Sequence, residues 1–194
     1  MSAPPVLRDV FHALRNTWGE EDHGHLFENG PGPLSRLDVL IYRPTGASPM
    51  TSFATIGMAV EPMPATPGPG GGGRVELQFA RRGGLDQGDE YTIAEQLANI
   101  AAYPWITGSQ LNWGHTVALG RDFPTFPGCG SVFLSGPLSP EGWDYIPAGD
   151  DAVRILNVVP ITEAERARAR LLPPVEFAQE LIAQTDVYTG RADR

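Results

Sequence analysis

The segment from Arg74 to Gly120, RVELQFARRGGLDQGDEYTIAEQLANIAAYPWITGSQLNWGHTVALG, constrains the fold more than any other. Val75, Leu77 and Phe79 alternate with Glu76, Gln78 and Ala80, the two-residue period of a half-buried strand. Ile93, Leu97, Ile100 and Ala101 then recur at helical spacing, and Thr92 with Glu95 spells a T-x-x-E capping box at the helix start. Pro104 lacks an N–H and restricts the residue before it, so it is expected to end the helix. Trp113 to Leu119 returns to β-type residues. The unit reads strand–helix–strand.

The flanking sequence adds to it on both sides. Residues 4–18 read as a helix that starts on Pro4 and Pro5 and leaves at Gly19, with Val6, Leu7, Val10, Phe11, Leu14 and Trp18 along one side. Residues 20–35, EEDHGHLFENGPGPLS, read as an irregular acidic segment. RLDVLIYR at 36–43 is a strand with apolar residues on both faces, and TSFATIGMAV at 51–60 is a second, with Gly57 as a close-approach or bulge position. Proline and four consecutive glycines make 61–73 a flexible hairpin connection. Beyond the central unit, 121–130 is loop and 131–135 a short strand. Residues 136–152 are turn-rich, and 153–160 form the last strand. Thr162 and Glu165 form a capping box for a helix with Glu163–Arg166 and Glu165–Arg168 pairs, and Pro173 and Pro174 separate it from a final helix over EFAQELIAQ. The fold class is α+β, one mixed and mostly antiparallel sheet flanked by helices. One domain is expected over 1–194, with its core at about 30–182 and a C-terminal tail at 186–194.

Charge limits the function. The net charge is −9, and all 14 cationic side chains are arginine. A phosphate backbone is repelled, so nucleic acid is not an expected partner; a basic protein is attracted and its association accelerated. No apolar run has transmembrane length, and the N-terminus carries no signal-peptide pattern. The single cysteine, Cys129, agrees with a cytoplasmic location.

Reaction chemistry is sparse. His23 and His25 stand beside Glu20, Glu21, Asp22 and Glu28, but in a loop, and an H-x-H pair shares a face only when extended. His115 in W-G-H-T is not tied by spacing to a nucleophile or carboxylate and reads as a buried or half-buried residue bonded to backbone. Cys129 in P-G-C-G sits in a glycine-flanked, exposable loop with a neutral setting unlike that of a nucleophile. The glycine run lacks the G-K-[ST] of a phosphate loop. No catalytic residue, metal ligand or cofactor site is assigned. Recognition residues are more evident. Trp105, Trp143 and Tyr145, among Asp86, Asp89, Glu90, Asp144, Asp150 and Asp151, have the composition of a partner-binding surface. Aromatic plugs closing the ends of the sheet explain the same residues.

The ordered blocks TSFATIGMA, RVELQFA, LANIAAYP, LNWGHTVALG, VFLSGPL and ILNVVPITEAER resemble the Suppressor of fused domain family. The pattern is met by Thr55, Gly57 and Met58; Arg74, Glu76 and Leu77; Tyr103 and Pro104; Gly114, His115 and Thr116; and Pro160, Ile161, Thr162 and Glu165. The resemblance covers residues 30–180 and implies a non-enzymatic protein-binding domain. Animal members are two-domain regulators that bind a short peptide as an added β-strand. This chain has the extent of the first domain, so the resemblance implies the bacterial single-domain type, in which many members act as immunity proteins against polymorphic toxins. An acidic chain fits a basic toxin domain. Two alternatives stay open: a regulator that binds peptides by strand addition, and a metal-dependent or histidine-based hydrolase centred on His115 or the Glu20–His25 segment.

Overall fold

In the computed structural model, which describes residues 3–64 and 72–191, an eight-stranded sheet runs through the molecule. The elements in chain order are α1 (Pro5–Trp18), β1 (His23–Glu28), β2 (Arg36–Tyr42), β3 (Met50–Ile56), β4 (Arg74–Arg82), α2 (Gln87–Thr107), β5 (Thr116–Ala118), β6 (Ser131–Ser135), β7 (Tyr145–Ala148), β8 (Asp151–Ile161), α3 (Glu163–Ala169) and α4 (Pro174–Gln184). A single 3-10 turn, Met58–Val60, follows β3. The strand order is β1-β2-β3-β4-β8-β6-β5, with β7 paired to β8. Among the described residues only the β4–β8 pair is parallel. The expected α+β class and mixed sheet are therefore present. Residues 65–71, most of the connection expected to be flexible, lie outside the described residues.

Helices on both faces bury the sheet. α2 covers one face, where Ile93, Leu97 and Ile100 join Val39, Ile41, Phe53, Leu77 and Phe79 in the largest cluster. On the other face α1 packs Val10 and Leu14 against Leu40, Tyr42, Ile155 and Ile146. Phe177 and Leu181 of α4 close the far end over Phe133, Val159 and Ile161. Each large apolar side chain so buried contributes about 1.5–3 kcal/mol.

Five local readings need correction. The acidic stretch 20–35 is not all loop, because His23–Glu28 pairs with β2 through six register positions. The turn-rich stretch 136–152 contains β7, joined to β8 by a two-residue Gly149–Asp150 turn. The second strand stops at Ile56, because Gly57 (φ 148) turns the chain against Arg36 O, where a Cβ would approach to 2.8 Å. α2 begins one turn before Thr92: Asp86 caps it by accepting the Asp89 N–H at 2.8 Å, and Thr92 instead donates to Asp89 O. Nor does Pro104 end it. Proline's missing N–H costs one bond close to the helix end, and three more residues follow before Gly108 closes on Pro104 O.

Strand β4 is more buried than alternation implies. Glu76 and Gln78 are buried like their apolar neighbours, and the 3-10 turn packs against β4 on the Glu76 side. Glu76 Oε1 accepts the N–H groups of Gly57 and Ala59, at 2.8 and 2.9 Å, and Oε2 accepts the Thr55 hydroxyl at 2.6 Å. Arg74 holds the same turn from outside, donating to Ala59 O and Val60 O. Further on, the Thr162–Glu165 capping box forms as expected, as does the Glu163–Arg166 pair. Glu165 and Arg168, however, pair elsewhere, with Arg191 and Glu180. The described part of the expected tail is docked: Arg82 N–H donates to Tyr188 O, and Asp186 pairs with Arg82.

Candidate protein-binding surface

The acidic and aromatic residues singled out in the sequence do not form one patch. Asp86 and Asp89 open α2, on one side of the sheet. Trp143, Asp144, Tyr145, Asp150 and Asp151 lie on the β7–β8 hairpin, whose Ile146 and Ala148 pack with α1 on the other side. Several are internally engaged. Glu90 is 1 % exposed and lies in a two-pronged pair with Arg43, both contacts 2.7 Å, so it is not part of a partner surface. Trp105 is half-buried on α2 rather than in a loop, its ring against Gly32. Trp143 is half-buried and stacks on Trp18 at 5.9 Å. Each packs against one of the hydrophobic clusters. Asp151 is exposed but bonded to Arg74 at 2.9 Å. The Ala152 N–H and then Arg74 hold its carboxyl below the usual range. Asp144, Tyr145 and Asp150 remain exposed on the hairpin.

The Arg43–Glu90 pair gives a direct expectation. Removing the guanidinium leaves a buried carboxylate without its partner. Arg43→Ala should therefore melt lower than Arg43→Ala/Glu90→Gln in a thermal scan at neutral pH, the double change restoring part of the loss.

A larger surface feature lies beside the hairpin. A groove of about 780 Å³ runs between α4, the 136–140 connection and the Asn112–Gly114 turn. Its walls include Trp113, Pro137, Pro174, Val175 and Ile182, and Arg154 stands at one side. The Arg154 guanidinium lies over the rings of Trp113 and Tyr145, at 4.9 and 5.2 Å. It donates to the Tyr145 hydroxyl and to Asn112 Oδ1. Tyr145 is thus a recognition candidate, though its neighbours are aromatic and cationic rather than acidic. Sequence reading missed Arg154 and the groove. The alternation of β8 put Arg154 and Tyr145 on no common face until β7 was known to pair with it.

The reactive residues fall apart from one another. His23 and His25 share one side of edge strand β1, ring centroids 4.8 Å apart, and His25 also meets Tyr91 at 5.3 Å. Burial and His23 lower the pKa of His25, with Glu90 opposing. Among the described residues no group of three or more His, Cys, Asp or Glu side chains is placed to hold a metal ion. His115 is exposed, contrary to expectation, with its Nδ1 3.1 Å from Gln110 O. Cys129, expected to be exposable, is fully buried, and burial pushes its thiol up to about 11. Among the described residues no helix is long and apolar enough to cross a membrane.

The fold and the blocks of sequence that build it have known counterparts. The model of the Suppressor of fused protein (SUFU) family matches residues 33–188. The chain belongs to the SUFU family. Its fold is similar to that of a SUFU homologue from Neisseria gonorrhoeae (TM-score 0.70, 19% identity, 94% of this chain and 92% of that one). It is similar as well to a structure described as the Sufu–Fu complex (TM-score 0.69, 14% identity, 100% and 92%). Drosophila Suppressor of Fused shares the fold at TM-score 0.69 and 14% identity, over 97% of this chain and 49% of that one. No curated protein matches the sequence.

Proposed function

We propose that the chain is a non-enzymatic binding protein of the immunity type, which neutralises a basic toxin domain in the cytoplasm by covering its surface. Membership of the SUFU family over residues 33–188 carries the reading. A fold neighbour described as a Sufu–Fu complex supports protein binding as the mode of action. The net charge of −9 supports a basic partner, because charge complementarity raises the encounter rate and is screened by salt. The exposed acids available to engage it are Asp144 and Asp150 on the hairpin and Asp86 at the head of α2, where Asp89 is half-buried.

The test uses the partner retained by the tagged chain in extracts of its source cell, identified by mass spectrometry. Asp144→Lys/Asp150→Lys should slow its association about tenfold at low salt, with a smaller effect at high salt. An association rate indifferent to both salt and charge reversal contradicts the reading.

Strand addition is a second reading, favoured by open edges at β1 and β5, the two ends of the main strand path. Hydrogen-exchange protection appearing along one of those edges on complex formation distinguishes it.

A further inference from the structure

We propose that the groove between α4 and the 136–140 connection docks an apolar segment of a protein partner that places an aspartate or glutamate on Arg154. The inference rests on the protein-binding reading and not on the partner being a toxin.

The first observation is the local inversion of charge. The chain carries 23 acidic residues, yet the groove is lined by none of them, and its one charged group is Arg154. Among the described residues, nine other arginines are engaged in ion pairs with Asp or Glu, whereas Arg154 bonds only to neutral oxygens, those of Tyr145 and Asn112. Those contacts use three of its five N–H groups. The remaining two are free to donate to a carboxylate. The guanidinium is already held over the rings of Trp113 and Tyr145, so little side-chain entropy is lost when an acid binds.

The second observation is the apolar wall. Val175 and Ile182 on α4 are 69% and 45% exposed, facing the same groove as Trp113, Pro137 and Pro174. A volume of about 780 Å³ suits a short segment of side chains, and ligand sites commonly span about 300–1,000 Å³. Apolar residues on the segment fill the wall while its carboxylate reaches the edge at Arg154. A polyanion such as a nucleic acid does not suit the site, because the chain's net charge of −9 repels repeated phosphates. One carboxylate on an otherwise apolar segment meets mainly the local arginine.

The experiment is selection from a displayed random-peptide library on the immobilised full chain, followed by titration of the synthetic consensus peptide. The expected consensus has apolar residues around one Asp or Glu. Arg154→Gln should weaken it about 10- to 100-fold, the scale of a hydrogen bond to a charged group, and Ile182→Glu, which puts a charge on the apolar wall, should weaken it by about as much. Replacing the acid of the peptide by its amide should weaken binding to the wild type but not further to Arg154→Gln. Circular-dichroism melts show whether Arg154→Gln still folds, and Ile182→Glu, at an exposed position, probes the groove if it does not. A consensus without an acid, affinity untouched by both variants, or no enrichment at all overturns the proposal. None of these outcomes bears on the salt-dependent binding of a basic partner, which stands or falls on its own measurement.

Discussion

Glu76→Ala should cost about 3–5 kcal/mol at pH 5, the largest loss expected from any single polar side chain here. The carboxyl satisfies two main-chain N–H groups, those of Gly57 and Ala59, at the point where β3 becomes the 3-10 turn. Alanine leaves both donors buried without an acceptor, at about 1–3 kcal/mol each, and opens space beneath the 3-10 turn. Gly57, at φ 148 with Arg36 O close by, gives the turn no other conformation in which to recover them. Glu76→Gln should behave differently. Its amide oxygen keeps both N–H bonds and its NH2 donates to the Thr55 hydroxyl, which also accepts the Leu77 N–H.

The same carboxyl makes stability depend on pH. Burial, against the pull of its hydrogen bonds, pushes Glu76 up to about 7 from an ordinary value of 4.5. A raised folded-state pKa means that the folded chain keeps a proton the unfolded chain has released. That stabilisation is complete below 4.5 and is lost as pH rises through 7, for a swing on the order of 3 kcal/mol. Urea titrations across this range should show the wild type losing stability relative to Glu76→Gln as pH rises. A difference independent of pH contradicts the assignment.

Phe79→Ala should cost about 3–5 kcal/mol and lower the melting temperature by roughly 10 °C. Phe79 is buried and contacts three other rings, Phe53 at 5.7 Å, Phe123 at 4.9 Å and Phe126 at 5.8 Å. The last two belong to the loop that encloses Cys129, whose N–H donates to Phe126 O and whose carbonyl accepts from Phe123. Removing the ring at the hub loosens that loop, so a thiol reagent reports the damage directly. In the wild type Cys129 should be unreactive at mildly alkaline pH, being enclosed and with its thiol pushed up to about 11. In Phe79→Ala it should react before global unfolding, and Phe79→Leu should lie between. Equal reactivity in wild type and variant counts against the loop being held by the ring.

What the sequence made legible follows from where the physics is local. Helix α1, strands β2 and β6, the capping box of α3 and the break at Pro173–Pro174 rest on spacings within a few residues, and each is in place. Strand β1 escaped because His-Gly-His-Leu-Phe-Glu alternates weakly and sits at an edge, where pairing to β2 supplies the order that propensity does not. Strand β7 escaped because it is four residues long and contains Pro147; Gly149–Asp150, a residue pair suited to a two-residue hairpin turn, was the signal available. The enclosure of Glu76 was not legible, because alternation shows only that two faces differ, not that both are covered. The Arg43–Glu90 pair spans 47 residues, and no local pattern encodes it. The recognition residues shared the same limit. Trp105, Trp143 and Glu90 looked exposed beside glycines, prolines and acids, yet each is taken up by contacts that only topology brings together.

The central claim is that this SUFU-family chain works by binding a basic toxin. The most direct measurement is co-expression of the chain with whatever protein it retains from its source cell, with growth followed and stoichiometry determined by titration. The account predicts a saturable 1:1 complex that restores growth, weakened by Asp144→Lys/Asp150→Lys. A retained protein that is not toxic, or growth arrest that persists despite complex formation, contradicts it.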